Sequence, residues 1–75
     1  MSEREAWLLL VNATTTRADA AASPDPLGAM GRACRDRAFA MDVLRGFGVD
    51  VGLIQDPHGL WPSEEQARKW ARSAT

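Results

Sequence analysis

Ala6-Trp7-Leu8-Leu9-Leu10-Val11-Asn12-Ala13-Thr14-Thr15-Thr16 is the stretch on which the fold turns. As an apolar run followed by three β-branched threonines, Trp7 to Thr16 suits a buried strand. At period 3.6 it instead continues Ser2-Glu3-Arg4-Glu5, a capping-box pattern that would open a helix reaching about Ala13. The strand is the favoured expectation, because a hairpin expected downstream needs a third strand to make a stable sheet.

That hairpin is read from the segment 49–61. Val49, Val51 and Leu53 alternate with Asp50, Gly52 and Ile54, as a half-buried strand would. Asp56-Pro57-His58-Gly59 has type I turn chemistry, with Pro second and Gly fourth. Leu60 and Trp61 then return as a short strand until Pro62 ends the ladder.

Two helices are expected on either side of it. Asp25 as N-cap and Pro26 at the first helical position start the central one, which runs to about Arg45 before Gly46-Phe47-Gly48 ends it. On a wheel, Leu27, Met30, Cys34, Ala38, Met41 and Leu44 share one face, while Phe39 and Val43 point almost opposite, next to Arg32. Ala29, Ala33 and Ala40 bridge the two faces, so the apolar arc is broad. The last helix is announced by Ser63-Glu64-Glu65-Gln66, a second capping box, and by Ala67, Trp70, Ala71 and Ala74 at helical spacing.

The sequence therefore predicts a single small α+β domain over residues 1–75: N-terminal strand, central helix, β-hairpin, C-terminal helix, with a loop at about 14–25. The alternative is a mostly α chain of three helices plus the hairpin.

Composition narrows the function classes. The net charge of the 75 residues is −1, which gives no overall attraction to nucleic acid or acidic membranes. The apolar run Ala6 to Val11 is too short to span a bilayer or to act as a signal-peptide core, so a cytoplasmic protein without membrane contact is expected. One cysteine, Cys34, forms no intramolecular disulfide, and with one histidine, His58, no zinc-ligand spacing exists. No cofactor or metal is expected.

Catalytic motifs are missing as well. Gly46-Phe47-Gly48-Val49-Asp50-Val51-Gly52 follows a helix and precedes a strand, the reverse of a dinucleotide-binding loop, and its glycine spacing is off by one. His58 reads as a solvated turn residue with Asp56 as the only carboxylate or nucleophile near it in sequence. Cys34, mid-helix on the apolar face, reads as a core residue. Residues 39–54 fit a helix-turn-helix register poorly, because Gly52 and Pro57 fall within or at the end of the recognition helix. The triplet Leu60-Trp61-Pro62 is similar to an element of the small proteins that assist nonribosomal peptide synthetases, but the likeness is confined to Gly59–Ser63 and implies no family.

What remains is a binding role. A chain this short buries only about three-fifths of its unfolded surface, leaving little margin over the entropy of ordering. With no disulfide or metal, a protein partner or a second copy of the chain is the natural supplement. Phe39, Val43, Trp61 and Arg32 are the expected contacts, since aromatic residues and arginine carry interface energy. The alternative is a nucleic-acid-binding module using Arg32, Arg35, Arg37 and Arg45 of the central helix and Arg68, Lys69 and Arg72 near Trp70.

Overall fold

Ser2 settles the N-terminal segment. Its hydroxyl accepts the Glu5 amide at 3.1 Å while its own amide donates to Glu5 Oε1 at 3.1 Å, a complete capping box. The computed structural model describes residues 1–50 and 61–73, and α1 follows from this cap over Glu3–Asp19. A 3-10 turn, Ala20–Ala22, leads to α2 over Pro26–Gly46, and α3 spans Glu64–Ser73.

The α+β expectation is thereby corrected. The segment expected to be a strand is helical, and no strand occurs among the described residues. Most of the expected hairpin, residues 51–60, lies outside the described residues, while Val49, Asp50 and Trp61 on its flanks carry no strand. The expected loop at 14–25 contracts to residues 23–25, because Thr14 to Ala22 are helical.

The threonines fit a helix for a local reason. Thr14 Oγ1 donates to the Leu10 carbonyl at 2.8 Å and Thr15 Oγ1 to the Val11 carbonyl at 3.1 Å. Each hydroxyl is satisfied on the preceding turn, which removes the cost of burying Thr14. The buried positions of α1 (Ala6, Trp7, Leu10, Ala13 and Thr14) recur at helical spacing, whereas a strand would have put alternate residues inside.

The start of α2 is as expected: the Asp25 side chain accepts the Gly28 amide at 3.2 Å, and Pro26 takes the first position. It closes on a Schellman motif. Val49 N donates to the Leu44 carbonyl and Gly48 N to the Arg45 carbonyl, both at 3.1 Å. Gly48 supplies the left-handed turn this requires, with φ at 85°. Val49 then folds back against the core.

α1 and α2 form an antiparallel hairpin. Trp7 and Leu10, early in α1, cluster with Ala40, Met41 and Leu44, late in α2. Thr15 and Thr16, late in α1, share a groove with Ala29 early in α2. The seam is largely alanine: Ala6 and Ala13 of α1 and Ala20 of the 3-10 turn recur every seven residues, and Ala29, Ala33 and Ala40 line α2, all buried. Side chains this small let the helix backbones approach closely.

The alanines also correct the facing of α2. The expected core row began with Leu27, Met30, Cys34 and Ala38, yet these four are exposed, and only Met41 and Leu44 of the six are buried. Turning α2 so that its alanines face α1 brings the hairpin together more tightly than bulky side chains would allow. Cys34, expected inside, is therefore on the surface.

α3 lies chiefly against α1. The Ser63 hydroxyl accepts the Gln66 amide at 3.1 Å, as the capping pattern predicts, and Ala67 is fully buried. No helix among the described residues is long and apolar enough to cross a membrane.

Candidate functional site

Arg32, Phe39 and Val43 fall at i, i+7 and i+11 of α2, so one flank of the helix carries all three. Their exposures differ. Arg32 is exposed, Phe39 keeps 54% of its surface in solvent, and Val43 is half-buried because it packs against the Trp7–Leu10–Leu44 cluster. Phe47, four residues beyond Val43 at the C-cap, is 53% exposed. The result is an apolar row, Phe39–Val43–Phe47, anchored to the core at its centre and open to solvent at both ends.

Phe47 was not among the expected contacts. Its spacing of eight residues from Phe39 was visible in the sequence, but Gly46 before it and Gly48 after it marked the segment as a helix stop. The Schellman geometry keeps Phe47 close enough to the helical path to extend the row.

Trp61, the fourth expected contact, lies elsewhere. The Arg37 guanidinium stands 4.8 Å from its ring centroid and the Arg17 guanidinium 5.9 Å. Both are within cation–π range, so cations from α1 and α2 hold the same half-buried ring. Arg37 is two residues before Phe39, about 200° away around the helix. Trp61 therefore sits on the opposite flank of α2 from the Phe39 row, where it fixes the entry of α3 instead of extending the apolar surface.

A second exposed apolar stripe, Leu27, Met30, Cys34 and Ala38, occupies the face of α2 turned away from the alanine seam. Leu27 is 87% exposed. Of the arginines expected to form a basic face, Arg37 is stacked on Trp61, and Arg45 Nη1 bonds Asp42 Oδ1 at 2.8 Å. His58 lies outside the described residues. Among the described residues no cluster of three or more His, Cys, Asp or Glu side chains is placed to hold a metal ion.

The carboxyl of Glu5 is held below the usual glutamate range, chiefly by the Ser2 backbone amide and then by the Ser2 hydroxyl. This belongs to the helix cap and not to the α2 surface.

No protein-family model, curated protein or solved structure matches the chain.

Proposed function

We propose that this chain is a non-enzymatic protein-binding module that meets its partner with the outer flank of α2. Phe39, Val43 and Phe47 supply the apolar contact and Arg32 a polar contact at the end of the row. The observation that carries this reading is that two phenylalanines of a 75-residue chain stand more than half exposed on one helix flank. Large aromatic side chains at a rigid, partly buried row are what interface hot spots are made of.

The nucleic-acid alternative is the weaker one. Arg37 and Arg45 already have an aromatic or acidic neighbour within the molecule, which thins the basic face. The reading places the protein in the cytoplasm, where an exposed thiol such as Cys34 stays reduced.

Photo-cross-linking tests it. A photoreactive residue at position 39, in the native cell, should give one discrete protein adduct that is lost in a Phe47→Ser background. The same probe at the exposed Ala21 should give none. A homodimeric partner would appear as an adduct of twice the chain mass. Equal adducts at positions 39 and 21, or none at 39, would remove the assignment. Tight, salt-sensitive retention of duplex DNA by the purified chain would replace it with the alternative.

A further inference from the structure

Between the end of α1, the 3-10 turn and the start of α2 lies an open groove of about 360 Å³. It is lined by Ala22 and Ala29 together with Thr15, Thr16, Asp19, Ser23 and Arg32. Asp19 and Arg32 are the two charged residues there, and among the described residues they form no ion pair with each other or with any other group. Opposite charges that share a groove without closing on each other leave room for a ligand bearing both complementary charges.

The remaining groups support the same division. Asp19 is the last residue of α1, and the C-terminal end of a helix favours a cation. The Ser23 hydroxyl oxygen accepts the Asp25 amide at 3.2 Å, which leaves its proton free to donate. The Thr15 hydroxyl proton goes to the Val11 carbonyl, while that of Thr16 has no partner among the described residues.

We infer that this groove is a binding site for a small zwitterion of the α-amino acid class. The ammonium sits between Asp19 and the carbonyl end of α1, and the carboxylate takes the Arg32 guanidinium with the hydroxyls of Thr16 and Ser23 as further donors. Ala22 and Ala29 line the groove beside the ligand's carbon backbone. Apart from Arg32, the site shares no residue with the Phe39 row and does not depend on it.

The test is a titration of the full-length, isotope-labelled chain with L-alanine, followed by amide chemical shifts. Saturable shifts should concentrate at Thr16, Asp19, Ser23 and Arg32, with millimolar affinity. Acetate alone and methylammonium alone should each bind roughly tenfold more weakly or worse, since each lacks one charged hydrogen-bonding end. Asp19→Asn and Arg32→Gln should weaken L-alanine by a similar factor. These side chains are exposed, and the amide spectrum itself reports whether each variant remains folded. No saturable shift with L-alanine, or acetate binding as tightly as L-alanine, would overturn the site. The acetate and methylammonium arms decide this on the unmodified protein, whatever the variants do.

Discussion

Replacing Leu44 with alanine tests the facing of α2 most directly. Leu44 is 0% exposed and packs in one cluster with Trp7, Leu10, Ala40 and Met41. Truncation removes three carbons from a fully buried site between α2 and α1, where little can collapse to refill the space. Such changes cost about 2–5 kcal/mol. A chain of this length has a total stability of roughly 4–11 kcal/mol, so the loss takes a large share of it. At about 4–8 °C per kcal/mol, a 3 kcal/mol loss lowers the melting temperature by roughly 12–24 °C. Leu27→Ala on the same helix makes the same chemical change where the side chain is 87% exposed, and should stay within about 0.5 kcal/mol. Thermal melts followed by circular dichroism at the helix minimum compare the two. Equal losses from Leu27 and Leu44, or a larger loss from Leu27, would refute the alanine-inward orientation and restore the leucine–methionine face as the core.

Two further outcomes follow from local geometry. Ala33→Leu inserts a branched side chain into the fully buried seam between α1 and α2 and should cost about 1–3 kcal/mol. A variant as stable as the parent in chemical denaturation would mean the seam is loose. The carboxyl of Glu5 should titrate below the usual glutamate range, and Ser2→Ala, which removes the hydroxyl but keeps the backbone amide, should return its midpoint only part of the way, as read from its side-chain carbonyl resonance. Because the folded-state pKa is the lowered one, the cap's contribution is fully present above the unfolded pKa. It fades as pH falls through the folded value. An unchanged midpoint in Ser2→Ala would mean that the hydroxyl contributes nothing to the shift.

Much of the helical structure was legible in the residues. Asp25-Pro26 and the glycines around Phe47 bounded α2, and Ser63 began α3, because caps depend on a few atoms whose partners are three or four residues away. The N-terminal segment was misread for the opposite reason. Bulky β-branched residues favour a strand on average, but Thr14 and Thr15 had carbonyls one turn back to bond, and Ser2 with Glu5 had already closed the first turn. The rotation of α2 was misread because a wheel weights large side chains. The alanines that face α1 carry little apolar area each, and their worth lies in how near they let a second helix come. That gain depends on the neighbour and is invisible in one segment alone.

The binding surface was partly legible. Arg32, Phe39 and Val43 share a flank because helical periodicity alone puts them there. Trp61 could not be placed the same way, since its neighbours Arg17 and Arg37 are 44 and 24 residues away in the chain. The groove beside Asp19 depends on a turn between two helices, which no spacing within either helix describes.

Cations from two different helices gripping a single indole have a practical consequence. Tryptophan emission responds to nearby charge, so the brightness and colour of Trp61 track whether the segment leading into α3 is seated on the hairpin. Once Trp7 and Trp70 are changed to phenylalanine, the chain carries its own optical gauge of that seating. Dilution, salt or an added partner could then be followed as they loosen or tighten the joint, without attaching a dye.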